Sequence, residues 1–260
     1  MNGPGNLCSA DDIEEAKAAL RLIPIWITSL VFAIVIAQCP TYFTMQGKTM
    51  DRTILPSFKV PAASLQSLTS ITILVFIPIY DRIFVPIART LTREPAGITM
   101  LQRIGTGIFL SAICMVVAAV IETERLEIAE INGLVDEPNA TVPMSMWWLV
   151  PQYILLGAAD VFTRVGLQEF FYDQISNELK SVGLAMYLGV FGVGNYLSSF
   201  LVFIVEKATG GSDQGGWLSD NLNQAHLNYF YCLLVGVNVV GLGAFLFFAK
   251  SYVYNRAKTT

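Results

Sequence analysis

The stretch MWWLVPQYILLGAADVFTRVGLQEFFYDQ, residues 146–174, decides the fold of this chain. It is apolar over a length that crosses a bilayer, yet it carries Asp160, Arg164 and Glu169. A charge near the middle of a membrane helix costs roughly 2.5–3.5 kcal/mol even on a lenient insertion scale. Because of that cost, we expect these side chains to face protein or water and to mark a transport pathway or a structural ion pair.

The whole chain has the composition of an integral membrane protein. Hydrophobic residues occupy 54% of its 260 positions and charged residues 14%, against roughly 25% charge in soluble domains. The mean hydropathy is +0.56. A helix needs about 20 apolar residues to cross a bilayer core of about 30 Å. Windows of this kind predict six transmembrane helices, at residues 18–45, 61–86, 98–121, 147–172, 181–205 and 226–252.

These runs predict an all-α membrane protein. An open sheet cannot satisfy its backbone in lipid, and the runs are too long and too continuously apolar for barrel strands. The predicted organisation is an N-terminal tail at 1–17, a six-helix bundle at 18–252 and a C-terminal tail at 253–260. The connection from 122 to 143 is acidic and is expected to be a solvated loop.

Basic residues predict the orientation. Nine of the 16 Lys and Arg residues lie in or beside three places, the connection between the second and third helices and the two tails. They are Arg82, Arg89, Arg93, Arg103, Lys17, Arg21, Lys250, Arg256 and Lys258. The positive-inside rule then puts both termini in the cytoplasm. Six helices agree with this, because an even number leaves both termini on the same side.

Several motifs in a fixed order resemble one family. They are IPIW near Ile23, AQ at Ala37, PAASLQ from Pro61, YDR from Tyr80, LQRIGTG from Leu101, PQYILLGAAD from Pro151, GLQEFFYDQ from Gly166 and VGN from Val193. Together they resemble the C-terminal half of the plant nitrate and peptide transporter family, within the proton-coupled oligopeptide transporters of the major facilitator superfamily. The resemblance runs from about residue 13 to about residue 256.

The resemblance implies half of a twelve-helix carrier with its substrate near the membrane midplane, between two six-helix halves. The expected partners are the lipid bilayer, a small polar solute such as nitrate or a di- or tripeptide, and a proton. A missing N-terminal half or a full-length relative is a further expected partner. The family uses both the plasma membrane and the vacuolar membrane.

Five residues are candidates for the substrate cavity. The resemblance aligns Asp160 with a family glutamate, which it implies binds the amino terminus of the peptide in peptide-transporting relatives. Arg164 lies one turn further along the helix, so a structural ion pair and a substrate or proton role both stay open. Gln38, Thr69 and Tyr187 match pocket-lining positions of the family; each is also explained by an ordinary interhelical hydrogen bond.

A departure from the family pattern and three gating candidates complete the site. Ile36 stands where nitrate-binding relatives carry a histidine, and it can neither bind an anion nor titrate. Glu169 is expected to form a gate or interfacial salt bridge near the cytoplasmic end, with Lys180 or an arginine of the missing half. Asp81 and Arg82 resemble a basic connection that locks one state, although the positive-inside bias explains them equally well.

Nothing in the sequence indicates an enzyme. It contains no GxSxG, no HExxH, no phosphate-binding loop and one histidine. The acidic connection lacks the spacing of a calcium loop. We therefore expect no catalytic residues, no metal, no cofactor and no nucleic-acid partner. The alternative to a carrier is a half-carrier that does not transport and acts as a membrane interaction protein.

Overall fold

The computed structural model describes residues 10–55, 58–92, 98–138, 140–210, 216–219 and 221–252. The predicted C-terminal tail, most of the predicted N-terminal tail, and Arg93, Arg256 and Lys258 lie outside these residues. The helices are α1 (Ala10–Gln38), α2 (Thr44–Thr49), α3 (Gln66–Ile79), α4 (Val85–Thr92), α5 (Met100–Ile131), α6 (Val150–Asp173), α7 (Lys180–Ala208) and α8 (Leu227–Ser251). Three short helical segments extend these helices. A five-residue segment of π-helix, the first π-turn (Cys39–Phe43), joins α1 to α2, and a second π-turn (Tyr80–Phe84) joins α3 to α4. A 3-10 turn (Ala62–Leu65) precedes α3.

These pieces form six long helical stretches, which confirms the predicted fold class. By length and composition, five stretches in the described part of the chain are apolar enough to cross a membrane. The remaining one is α6, which carries Asp160, Arg164, Glu169 and Asp173 within 24 residues. Helix α1 begins at Ala10, inside the segment predicted to be a tail.

The helices pack in a defined order around two apolar clusters. Helix α5 packs against α6 and α8, α1 packs against α7 and α8, and α3 packs against α6. One cluster includes Phe43, Met50 and Tyr231. The other includes Phe32, Phe171 and Phe245. Helix α3 packs against α6 on one side only, and none of its own residues is buried. Its other faces are therefore open.

Short strands occur in the connections. Strand β1 (Met50–Asp51) pairs in parallel with β4 (Val142–Ser145). Strand β2 (Thr53–Leu55) pairs with β3 (Phe58–Lys59) in an antiparallel hairpin. The parallel pair links the connection that follows α2 to the connection that precedes α6.

Helix α5 is longer than the sequence predicts. It begins at a capping box in which the Thr99 hydroxyl accepts from the Gln102 amide, and it ends at Ile131. Gly133 follows the C-cap residue Asn132, and its φ of 68° turns the chain away from the helix axis. The predicted end was residue 121, and residues 122–131 were assigned to a solvated loop. That assignment is wrong because Glu122 and Arg125 are fully buried within the helix.

All three nitrogens of the Arg125 guanidinium donate hydrogen bonds. Its Nε and Nη2 donate to the two carboxylate oxygens of Glu122, at 2.9 and 2.6 Å. Nη2 also donates to the Leu222 carbonyl, and Nη1 donates to Asn223 Oδ1, both at 2.7 Å. Nη1 reaches Thr49 Oγ1 at 3.3 Å. The cluster therefore joins α5 to the end of α2 and to the segment before α8.

Glycine allows α5 and α6 to approach closely. A Cβ on Gly107 would lie 1.9 Å from Thr163 Oγ1 and 2.9 Å from the Ala159 carbonyl oxygen. Real Cβ atoms do not come that close to other atoms, so a side chain here requires the two helices to separate. Small residues commonly allow such close approach of membrane helices.

Gly107→Ala is expected to destabilise the bundle by about 1–3 kcal/mol, the usual cost of forcing extra volume into a packed interior. The measurement is the midpoint temperature of unfolding in detergent micelles. Gly243→Ala is the matched control, because a Cβ at Gly243 on α8 meets nothing within 4 Å. Equal shifts in the two variants would contradict the proposed close contact.

Candidate functional site

A cavity of about 540 Å³ opens in the middle of the bundle, between α1, α3, α6 and α7. Its walls combine one ion pair, several amides and hydroxyls, and apolar side chains. The lining consists of Ile36, Ala37, Cys39, Pro40, Gln66, Thr69, Ser70, Ile73, Tyr153, Leu156, Asp160, Arg164, Phe191 and Asn195. A mostly apolar cavity with a few polar groups is the usual form of a site for small molecules.

The ion pair is formed within α6. Arg164 Nε donates to Asp160 Oδ1 across one helical turn. The Asp160 side chain is 9% exposed, whereas the Arg164 side chain is 44% exposed. The guanidinium carbon of Arg164 also lies 4.3 Å from the centroid of the Phe191 ring on α7. The arginine is therefore held from both sides, by a carboxylate and by an aromatic face.

Two other residues singled out from the sequence line the same cavity from other helices. Thr69 and Ile36 both line the cavity, on α3 and α1. Gln66, one turn before Thr69, donates to the Pro40 carbonyl at 2.9 Å and to Thr44 Oγ1 at 3.0 Å, so it joins α3 to the first π-turn and to the start of α2. The side chain at position 36 gives the cavity no group that titrates.

Gln38 and Tyr187 lie outside this lining. Gln38 is buried, and its Nε2 donates to the Ser198 hydroxyl and, at 3.3 Å, to the Ser198 carbonyl. The sequence allowed two interpretations of Gln38, a cavity-lining residue or an interhelical hydrogen bond. The structure shows the hydrogen bond, between α1 and α7. The Tyr187 ring packs 5.5 Å from the Phe191 ring, behind the residue that touches Arg164.

Sequence reasoning missed several polar and aromatic residues of the cavity. Gln66, Asn195 and Phe191 were not among its candidates, although all three line the cavity. Phe191 and Asn195 are four residues apart on α7, so they share the helix face that meets α6. The VGN motif, which ends at Asn195, and the PAASLQ motif, which ends at Gln66, were the signals available.

The partner of Glu169 differs from the prediction. Glu169 accepts a hydrogen bond of 2.5 Å from Arg103 Nη1 on α5. Lys180, the residue named from the sequence, instead places its Nζ 4.4 Å from the centroid of the Tyr172 ring. The Arg103 guanidinium also lies 5.1 Å from the Tyr80 ring centroid. The bridge therefore ties the start of α5 to the end of α6, beside the π-turn.

Of the two other gating candidates, Asp81 shares a cavity with Arg103 of this bridge. Asp81 lines a second cavity, of about 310 Å³, together with Arg89 and Arg103. Arg82 is exposed, and it forms no salt bridge with any residue that the structure describes. These residues cluster at the end of the bundle where α5 begins and α6 ends.

Six long helical stretches around a cavity that contains an ion pair are the arrangement expected of one half of a major facilitator bundle. The sequence profile described as PTR2: POT family matches residues 2–218. The chain therefore belongs to the POT family, which confirms the resemblance drawn from its motifs.

Two curated relatives from a plant are similar to this chain in sequence. The chain is 62% identical over 253 residues to Protein NRT1/ PTR FAMILY 5.10 and 61% identical over 251 residues to Protein NRT1/ PTR FAMILY 5.12, both of Arabidopsis thaliana. Those matches take in 97% and 96% of this chain but 45% of each relative. The chain thus spans a little under half the length of these curated relatives.

Two solved structures share the fold. The in meso crystal structure of the POT family transporter PepTSo matches with a TM-score of 0.73 at 18% identity, over 94% of this chain and 43% of that one. The crystal structure of an auto inhibited POT family peptide transporter matches with a TM-score of 0.66 at 21% identity, over 94% and 44% of the two chains.

Proposed function

We propose that this chain forms the C-terminal half of a secondary carrier that moves a small polar solute together with a proton by alternating access. The observation that carries the proposal is the Asp160–Arg164 pair on the wall of the central cavity. Ionisable groups inside membrane helices are costly and commonly mark solute or proton pathways. Membership of the POT family supports the same reading.

Asp160 is the proposed proton-binding group. It is the one carboxylate in the cavity lining given above, and Ile36 cannot take over the role. When the carboxyl binds a proton it loses its attraction for Arg164, and the guanidinium becomes free to bind an anionic group of the solute. The exposed position of Arg164 suits that exchange, since its head already borders the cavity.

The solute is proposed to be small and to carry both polar and apolar groups. Nitrate and di- or tripeptides are the candidates that the resemblance supplies. The apolar wall of Ile36, Ile73, Leu156 and Phe191 gives a bare inorganic anion little to bind, whereas a peptide uses it together with the ion pair. Gln66, Thr69 and Asn195 would hydrogen-bond the solute, with Gln38 and Tyr187 supporting the wall from behind.

Glu169, Asp81 and Arg82 are proposed to act at the gate on the cytoplasmic side. The Arg103–Glu169 bridge would hold α5 and α6 together at this end of the bundle while both helices move relative to a partner half. A transport rate unchanged by Glu169→Gln would contradict that role. This placement of the gate goes with a chain that has both termini in the cytoplasm and spans the plasma membrane or the vacuolar membrane.

The proposed function is tested by uptake in proteoliposomes with an imposed pH gradient. We expect uptake of labelled nitrate or of a labelled dipeptide when the chain is co-expressed with a first half from a POT family relative. We expect no uptake from the chain alone, because one wall of its cavity is then open. Uptake that is independent of the pH gradient would overturn proton coupling, and no uptake from either preparation would argue against the carrier.

A second function is favoured by the exposed apolar faces of α3 and α7. Leu74 is 71% exposed, and Tyr196 is 81% exposed. A half-carrier could cover these faces with a second copy or with a full-length relative, and so act as a membrane interaction protein without transport. Cross-linking in a mild detergent that recovers monomers alone would contradict this alternative.

A further inference from the structure

A separate cavity of about 270 Å³ lies at the other end of the bundle. It is bounded by the π-turn that joins α1 to α2, by the last turns of α7 and by the segment that leads into α8. None of its lining residues belongs to the central cavity. Its size is several times the roughly 30 Å³ that one water occupies in the liquid, so it can hold an organic group.

The cavity contains a carboxylate without a counter-charge. Glu206 lines it and is half-buried. Among the residues that the structure describes, Glu206 forms neither a salt bridge nor a hydrogen bond through its side chain. The adjacent cation, Lys207, is exposed and turned away, with its Nζ 5.5 Å from the Phe203 ring centroid. A carboxylate held in this way attracts a cation.

Aromatic rings line the same cavity and are held in place by their neighbours. The Tyr42 ring packs 5.3 Å from the ring of Phe230, which is fully buried. The Trp217 ring lies 5.7 Å from the Tyr229 ring, and the Trp217 amide donates to Thr209 Oγ1 at 3.2 Å. The faces of Trp and Tyr attract cations, most strongly when water is excluded.

We propose that this cavity binds an organic ammonium cation, with Glu206 as the counter-charge and Tyr42 and Trp217 as aromatic walls. The remaining walls are largely apolar and include Val202, Leu222 and Leu227. They suit an alkylated ammonium group, whose methyl groups lose little on leaving water, better than a metal ion that keeps its hydration shell. The site is distinct from the central cavity and does not depend on transport.

The test is binding of labelled choline to the 260-residue chain by equilibrium dialysis in dodecyl maltoside micelles, which contain no ammonium group. We expect saturable binding that is weakened by about tenfold or more in Glu206→Gln, since a charge-assisted contact is worth roughly one decade in affinity. Glu130→Gln, at an exposed carboxylate near the end of α5, is the matched control and should bind like the parent.

A second pair of variants separates the aromatic contribution from folding. Trp217→Phe retains an aromatic face and should bind within a few-fold of the parent, whereas Trp217→Ala should lose about tenfold. The unfolding midpoint of each variant is measured alongside. This pair decides the proposal if Glu206→Gln unfolds in detergent.

Three results would overturn the proposal. The first is the absence of saturable choline binding at millimolar concentration. The second is equal binding of the neutral carbon isostere of choline, in which a tert-butyl group replaces the trimethylammonium. The third is equal competition by sodium ions, which would identify a site for inorganic cations. None of these results bears on proton-driven uptake, so the two proposals fail independently.

Discussion

Arg125→Met is expected to cost about 3–5 kcal/mol of stability, because it leaves the fully buried carboxylate of Glu122 without its partner. It also removes the donors that serve Asn223 and the Leu222 carbonyl. For a chain of this size the loss corresponds to a fall in unfolding midpoint on the order of 10 °C. The midpoint is measured in detergent micelles.

Two further variants make this prediction specific. Lys207→Met removes an exposed cation at the same end of the bundle and should change stability by less than about 0.5 kcal/mol. The double variant Glu122→Met with Arg125→Met removes both charges, and it should recover part of the loss because a buried pair replaced by apolar side chains is often nearly neutral. A double variant as unstable as Arg125→Met would show that the carboxylate is not the cause.

Asp160→Asn is expected to reduce proton-driven uptake by at least about tenfold in the co-expressed halves. A hydrogen bond to a charged group is worth about 1.5–3 kcal/mol, and tenfold corresponds to about 1.4 kcal/mol. The amide keeps the shape of the side chain but neither carries the charge nor exchanges a proton. The measurement is the initial rate of uptake with and without a pH gradient.

The control is Asp173→Asn, the same change at the exposed end of the same helix, which should leave uptake unaltered. Solute exchange without a gradient distinguishes the two roles proposed for Asp160. Exchange that survives while gradient-driven uptake is lost identifies Asp160 with the proton. Loss of both identifies it with the solute, and retention of both contradicts its place in the working site.

The sequence predicts best what depends on local spacing. Continuous apolar runs predict the six helical stretches because a membrane helix must satisfy its own backbone. The pairing of Asp160 with Arg164 follows from their separation by one helical turn. Both features require no knowledge of how distant helices meet.

Pairs that depend on packing could not be predicted in this way. Arg103 and Glu169 are 66 positions apart, and Gln38 and Ser198 are 160 apart. Helix α5 continues past its predicted end with Glu122 and Arg125 buried, and one partner of Arg125 lies 98 positions away, at Asn223. The acidic run reads as a solvated loop because a partner so distant in the chain cannot be found from the local sequence.

The absence of a side chain at Gly107 also restricts how the molecule can move. At Gly107 the backbone of α5 lies directly against Thr163 and Ala159 of α6, so we expect the two helices to resist sliding past each other. Gly157 ties α6 to α3 in the same way, since a Cβ there would lie 2.7 Å from Thr72 Cβ. We therefore expect α3, α5 and α6 to move together as one rigid unit. The cavity beside Asp160 should then widen where these helices meet α1 and α7.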